Sequence, residues 1–438
     1  MAAQIVSSWG NVLPVEHAVF QLRSRHDVFP DISEVESVLP YGNGRSYGDS
    51  CLNVGAAVLS TRSLDHFISF DPQSGVLACE SGVLLADILR LVVPQGWFVP
   101  VSPGTWFVTV GGAIANDVHG KNHHVAGTFT RHVRRFELLR SDGTRRICAP
   151  EENAEWFAAT AGGLGLTGAI TWAEIQLRRI GGPLMDVETI RYGNLDQFMQ
   201  LSAESDGLFE YIVAWVDCQG RGKHLGRGVL QRANHSDAPL TAAPRPSRRL
   251  SVPFTPPFSF VNPASLRIMN TALYRGQFAN RRRRIERFES FFYPLDNILQ
   301  WNRLYGPRGF YQYQCVIPSE PAQEATRALL RTIGSSGQGS FLAVLKLFGD
   351  VSSPGMLSFP RAGLTLAIDF PNRGARLQQL FRELDAIVRA NGGRLYPAKD
   401  GRMPGDLFRS GYPRWREFSN YIDPRCSSTF WRRVMADT

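Results

Sequence analysis

Two stretches of this 438-residue chain bring glycines and reactive side chains together: Tyr41-Gly-Asn-Gly-Arg-Ser-Tyr-Gly-Asp49 and Val108-Thr-Val-Gly-Gly-Ala-Ile-Ala-Asn-Asp-Val-His-Gly-Lys-Asn-His-His124. Glycine tolerates positive φ and has no Cβ to block an approach, so such loops let successive backbone N–H groups converge on an anion. Two of them point to a long, phosphate-bearing ligand. The second loop also offers Asp117, His119, Lys121, His123 and His124. As metal ligands these would need three or four donors in fixed geometry, and His123 and His124 point apart in extended chain. The other reading, without metal, sets His119 and Lys121 beside a cofactor while the rest cap turns or face solvent. No Ser–His–Asp or Cys–His arrangement has a recognisable local context, so hydrolase chemistry has no support.

Lysine is scarce. Of 48 basic residues only Lys121, Lys223, Lys346 and Lys399 are lysines, and three of these lie in motif-like segments, where a compact or titratable amine would be required. The arginines are spread along the chain, so the net charge of +9 reads as general composition and not as a nucleic-acid surface. The six cysteines contain no C-x-x-C pair, which argues against a zinc site or a disulfide scaffold and for a reducing compartment. The N-terminus lacks the basic start and apolar stretch of a signal peptide, and no run of about 18 apolar residues is present. The expectation is a cytoplasmic protein, at most peripheral at the inner membrane face.

The length predicts two domains around a large core. Phe67–Asp71 with Val76–Glu80, and Phe136–Arg140 with Arg145–Cys148, read as hairpins, with helices over Leu84–Val93 and Glu151–Thr160. Gly163-Leu-Gly-Leu-Thr-Gly168 matches G-x-G-x-x-G, but a helix precedes it and the strand-like Ala169–Leu177 follows, the reverse of a dinucleotide fingerprint. The pattern is α+β.

Past residue 180, strands over Tyr211–Asp217 and Gly228–Arg232 lead into Ala233–Ser265. That stretch is rich in proline, serine and aromatics and too long for an ordinary connection, which predicts a mobile lid or a partner surface. The basic run Arg281–Arg284 is helix-compatible, either as a solvated face or as a contact for anionic head groups. Strands follow at Phe310–Ile317, Ser340–Phe348 and Leu364–Phe370. Alternation puts Lys346 on one face with Leu342, Val344 and Phe348, where a buried ammonium needs either a salt-bridge partner or a ligand. Gln312 and Gln314 share a face, as do Thr365, Ala367 and Asp369, so a sheet with one polar-dotted face could roof an active site.

In order along the chain stand Gly44-Arg-Ser-Tyr-Gly-Asp49, Val110-Gly-Gly-Ala-Ile-Ala115, His119-Gly-Lys-Asn-His-His124, Gly165-Leu-Thr-Gly168, Ala214-Trp215, Trp301-Asn-Arg303, Tyr305-Gly-Pro307, Tyr313-Gln314, Val344-Leu-Lys-Leu-Phe-Gly349, Asp369-Phe-Pro371 and Gly393-Arg-Leu-Tyr-Pro-Ala-Lys-Asp400. With these the chain resembles the FAD-linked oxidoreductases of the vanillyl-alcohol oxidase/p-cresol methylhydroxylase superfamily, and most closely their decaprenylphosphoryl-β-D-ribose 2′-oxidase family. The resemblance implies a two-domain α+β flavoprotein. Its FAD-binding domain, of two α/β subdomains, would comprise residues 1–180. Residues 181–394 would form a substrate domain on an antiparallel sheet flanked by helices, with a mobile loop at 233–265, and residues 395–438 would return to the FAD domain.

By the same resemblance FAD is contacted by Gly42, Asn43, Gly44, Arg45, Ser46, Tyr47, Gly104, Thr109, Gly111, Gly112, Ala115, Asn116, His119, Gly120, Asn122, Gly165, Gly168, Ile170, Tyr396 and Lys399. Many relatives tether FAD through a histidine where this chain has Tyr47, so non-covalent FAD is expected. Lys399 and His119 are implied near the ring, with Gln314, Lys346 and Tyr396 in the sugar pocket. His119 is favoured to take the hydroxyl proton because its ordinary pKa is near neutral. The implied reaction is oxidation of the 2′-hydroxyl of a polyprenylphosphoryl-β-D-ribose to the 2′-keto sugar, the first half of an epimerisation that supplies arabinose for cell-wall glycans. The implied partners are the lipid-linked sugar phosphate, a separate short-chain-type NAD(P)H reductase and a membrane surface met through residues 233–284. The alternative is an alditol or sugar-lactone oxidase that passes electrons to oxygen. Ala367, Thr365 and Phe292 stand where mycobacterial relatives carry cysteine, asparagine and tyrosine, which bears on the exact sugar and lipid.

Overall fold

The computed structural model describes residues 3–238, 250–277 and 279–436. Its architecture is α+β with three main sheets, as the alternation of hairpins and short helices predicts. In the first sheet Ala57–Ser60 lies parallel to both Val15–Gln21 and Val38–Tyr41, and Ala3–Val6 forms the outer strand. The second is antiparallel, in the order Phe67–Asp71, Val76–Glu80, Ala169–Gln176, Val133–Leu139, Arg145–Cys148. Helices Leu85–Val92 and Ala154–Thr160 pack into its core with Leu89, Phe136, Phe157 and Ile175.

The third sheet has eight antiparallel strands: Arg281–Arg287, Leu184–Tyr192, Gly228–Ser236, Tyr211–Val216, Ala343–Phe348, Gly363–Pro371, Phe310–Pro318 and Arg394–Leu395. Side chains alternate between its faces. Ala214, Cys315, Leu345, Leu366 and Ile368 point into a core shared with helices Leu195–Ser205, Ala322–Ser336 and Ala375–Ala390. Burying a leucine on that face is worth about 1.5–3 kcal/mol, and this fixes the register. The opposite face is thereby obliged to present Gln312, Gln314, Lys346, Ala367 and Asp369 to a cavity.

Arg281–Arg284 departs from its helical expectation. It opens the edge strand Arg281–Arg287, with Arg281 opposite Ile190 and Arg283 opposite Glu188. Arg281 pairs with Glu188, Arg283 with Asp186 and Arg284 with Glu286, so cross-strand and same-strand carboxylates override the helix propensity of arginine. A charged edge of this kind also discourages pairing with another sheet. The stretch expected as one long loop, 233–265, is shorter than that. Residues 233–236 complete Gly228–Ser236, Leu250–Ser251 pairs in parallel with Ile298–Leu299, and residues 263–265 open the helix Pro263–Arg275. Residues 239–249, the middle of that expected loop, lie outside the described residues.

After Arg394–Leu395 the chain runs back along the first glycine loop. Tyr47 N donates to Ala398 O at 2.8 Å. Gly48 has an ordinary φ of −106°, yet a Cβ there would stand 1.6 Å from Asp400 O, so close backbone approach alone demands glycine. Arg433, on the helix Thr429–Met435, bonds Asp49 at 2.7 Å and Asp400 at 3.0 Å. This clamp fixes the turn that carries Lys399.

Candidate active site

A cavity of about 700 Å³ lies where all three sheets meet, within the usual range for ligand pockets. Pro40 and Tyr41 reach it from the first sheet, Ile170 from the second, and Gln231, Gln314 and Lys346 from the third. Every residue expected at the cofactor or the sugar lines it except Asn122. Asn122 is buried behind the wall, where its Nδ2 donates to Pro100 O at 2.9 Å.

The first glycine loop forms one wall. Gly44 has φ +60°, and the amides of Gly42 to Ser46 find no protein acceptor among the described residues. Asn43 Nδ2 donates to Phe107 O at 2.8 Å, and Arg45 is braced by Asn43 O at 2.8 Å with its guanidinium 4.7 Å over the Trp9 ring. The second loop enters the helix Val110–Ala115, where Thr109 Oγ1 accepts from Gly112 N at 3.1 Å. Gly111 passes so near Ser81 that a Cβ would lie 3.0 Å from the serine Cβ. The buried hydroxyls of Ser50 and Ser81 face the same cavity without a protein partner. Gly165, at φ +80°, and Gly168 continue the wall, so the rejected dinucleotide match becomes a third glycine edge.

Opposite stands the polar sheet face. Lys346 Nζ donates to His119 Nδ1 at 3.2 Å, and the Gln314 side-chain amide meets His119 Nε2 at 3.1 Å and Thr365 Oγ1 at 3.3 Å. With Nδ1 accepting, the neutral imidazole carries its proton on Nε2, and Gln314 must present its carbonyl oxygen to both neighbours. Burial, then the charge of Lys346, pushes His119 well below its ordinary pKa. Both ring nitrogens are engaged, so His119 is a fixed neutral link and not the poised base that its ordinary pKa suggests. Burial brings Lys346 down to about 8. Tyr396 donates to Asn116 O at 2.9 Å and stacks on Phe359 at 4.6 Å.

Lys399 Nζ sits 3.6 Å from the centre of the Tyr47 ring. Asp369, fully buried, accepts from Gln312 Nε2 at 2.6 Å and Tyr305 OH at 3.2 Å. Burial raises the Asp369 carboxyl and lowers Lys399, while the attraction between the two opposes both shifts. They form the titratable pair of this wall. Sequence alternation puts Asp369 on this face without giving it a role, since its lysine lies 30 positions away on another element. Trp9, Ser81 and Asp296 also line the cavity with no signal in their local sequence.

The other members of the metal reading diverge. Asp117 accepts from Thr130 N at 3.2 Å and from the hydroxyls of Ser353 and Ser358. The His123 ring packs 4.5 Å from Phe348, His124 Nε2 contacts Phe209 O at 3.1 Å, and Lys121 donates to Phe291 O. Among the described residues no group of three or more His, Cys, Asp or Glu could hold a metal ion.

Comparison with known proteins matches residues 33–149 to an FAD binding domain family. Decaprenylphosphoryl-beta-D-ribose oxidase of Mycolicibacterium smegmatis is 34% identical over 95% of this chain and 94% of its own length. The "Uncharacterized protein in mprA 5'region" of Streptomyces coelicolor is 35% identical over 80% of this chain and 97% of its own. Human Delta(24)-sterol reductase is 29% identical over 26% of this chain and 22% of its own. No described helix is long and apolar enough to cross a membrane.

Proposed function

Since the chain belongs to the FAD-linked oxidoreductase family of decaprenylphosphoryl-β-D-ribose oxidase, we propose that it oxidises the 2′-hydroxyl of a polyprenylphosphoryl-β-D-ribose to the 2′-keto sugar. It is an FAD-dependent oxidoreductase, and its residues fit that cofactor. The unpaired amides of Gly42–Ser46 and the unpartnered hydroxyls of Ser50 and Ser81 are donors suited to a pyrophosphate and its sugars. Bound FAD supplies the acceptor for a hydride from the sugar carbon.

The observation that carries the substrate reading is the row Gln314, Lys346 and Asp369 facing the glycine loops across one cavity. Lys346 can meet a phosphodiester, and Gln314, oriented by His119 and Thr365, can hold a sugar hydroxyl. Leu295, Ile298, Leu299 and Leu342 give the same cavity an apolar side suited to an isoprenoid. The neutral amine of Lys399 would take the hydroxyl proton, and Asp369 would steady the ammonium so formed. Ala367 and Phe292 line the cavity, while Thr365 acts through Gln314. Anaerobic mixing tests the assignment. Polyprenylphosphoryl-ribose should bleach the flavin absorbance and leave a keto sugar, whereas soluble alditols and sugar lactones should not. Bleaching by the polyols alone would replace this reading with that of an alditol or sugar-lactone oxidase.

FAD is held without a covalent bond in this proposal, because Tyr47 offers a phenol that burial keeps protonated, in place of an imidazole nitrogen. Acid precipitation should leave a colourless pellet and a yellow supernatant. A yellow pellet would overturn it. The keto product calls for a separate NAD(P)H reductase to complete epimerisation to the arabinose donor. A polyprenyl carrier resides in a bilayer, so the reading brings with it a peripheral contact at the inner membrane face through residues 233–284.

A further inference from the structure

Acidic residues are unevenly spread along this chain. Between Asp237 and Glu286 there is no acidic residue, and the interval holds nine arginines and no lysine. Its charge of +9 equals the formal net charge of the whole chain, so the remaining residues sum to zero. Three arginines of the edge strand are neutralised by Glu188, Asp186 and Glu286. Arg267, Arg275 and Arg282 are exposed and form no ion pair among the described residues.

Beside these free cations lies apolar surface. The helix Pro263–Arg275 starts from an Asn262–Ser265 capping box and turns Leu266 and Asn270 inward. Ile268, Met269 and Leu273 are left outward, exposed by 68%, 40% and 42%, with Arg267 and Arg275 at the flanks. Just upstream Phe254, Phe258 and Phe260 are exposed by 67%, 62% and 50%. An outward apolar stripe bordered by arginines and free of acids is the composition of a helix that lies in a lipid interface. A water-facing helix would bear the reverse pattern.

The same segment reaches the cavity. Leu250–Ser251 pairs with Ile298–Leu299, and Ser251, Ile298 and Leu299 line the cavity wall. Arg303 donates to Val252 O and Pro253 O at 2.9 Å, and Phe260 N donates to Leu304 O at 2.9 Å, which ties the aromatic stretch to that wall.

We infer that this surface seats in an anionic bilayer. The outward phenylalanines and Ile268 enter the acyl boundary and the free arginines meet headgroup phosphates. The cavity then opens toward the membrane, and a polyprenyl phosphate reaches it along apolar surface. That last step rests on the lipid-linked substrate proposed above, whereas the docking does not. Charge sign decides between lipid and a second copy of this chain, since two copies of a surface that carries the unpaired Arg267, Arg275 and Arg282 repel each other.

Flotation of the full-length flavoprotein with vesicles tests the inference. It should float with vesicles of phosphatidylglycerol mixed into phosphatidylcholine, and at least about tenfold less with phosphatidylcholine alone or at high salt. Ile268→Glu combined with Phe258→Glu, and separately Arg267→Glu combined with Arg275→Glu, should each cut binding at least about tenfold while melting like the parent protein. Bleaching by a short-chain, water-soluble polyprenylphosphoryl-ribose should be unaltered in both. Equal flotation with both vesicle types, absence of flotation, or full flotation by either variant would overturn the docking surface. Flotation without bleaching by the short-chain substrate would instead sink the substrate reading and leave the surface standing.

Discussion

Flavin reduction by substrate in a Lys399→Ala variant is expected to fall by about 10²–10³-fold, with the flavin still bound. Lys399 is the amine of the wall that faces the glycine loops, its pKa brought down to about 7 by burial so that it can take a proton, and placed over Tyr47 by a turn whose neighbours are held on both sides. Burial works against its charge and Asp369 works for it. Alanine removes both the group that takes the hydroxyl proton and the charge that answers the reduced cofactor. Asp369→Asn should give a smaller loss together with a changed pH profile, since the lysine then keeps its desolvation penalty and loses its counter-charge. Stopped-flow measurement under anaerobic conditions reads both variants. A Lys399→Ala rate within tenfold of the parent would remove Lys399 from the chemistry.

Arg433→Ala is expected to cost about 3 kcal/mol of stability, because it strips the counter-charge from two buried carboxylates, leaving Asp400 with only the amides of Arg402 and Met403. Asp49 accepts from Arg433 Nε at 2.9 Å and Nη2 at 2.7 Å, and Asp400 from Nη2 at 3.0 Å. Burial raises the Asp49 carboxyl and Arg433 holds it down. Without the guanidinium, Asp49 and Asp400 repel across the closest backbone approach of the site, between Gly48 and Asp400. The turn bearing Lys399 should loosen, so flavin content should fall with the urea midpoint. Arg433→Lys should recover only part of the loss, since one ammonium cannot span both carboxylates in the fork geometry. An Arg433→Ala protein that unfolds within about 1 kcal/mol of the parent would show that the clamp is decorative.

Local periodicity carried much of the architecture. The hairpin Phe67–Asp71 with Val76–Glu80 falls where the turn residues put it, and alternation correctly set Lys346 and Gln314 on the cavity face. These signals survive because one buried face enforces them. Arg281–Arg284 was illegible for the opposite reason: four identical side chains have no period, and the carboxylates that choose a strand for them lie about 95 positions upstream. The scarcity of lysine pointed to Lys346 and Lys399, but the groups that define their chemistry, His119 and Asp369, come from distant elements. Trp9 under Arg45 and the unpartnered hydroxyl of Ser81 carry no local mark at all. The electrostatic asymmetry also escaped a reading of arginine alone, because it comes from arginines gathering where aspartate and glutamate are missing.

The clamp also sets an order of events during synthesis. Asp49 leaves the ribosome 384 residues before Arg433. At about 5–20 residues per second that is a delay of roughly 20–80 s. All three glycine edges exist well before the turn at Lys399 can close over them. A nascent chain therefore has the cradle long before it has the latch, and the cofactor wall is completed only when the segment around Arg433 has been made.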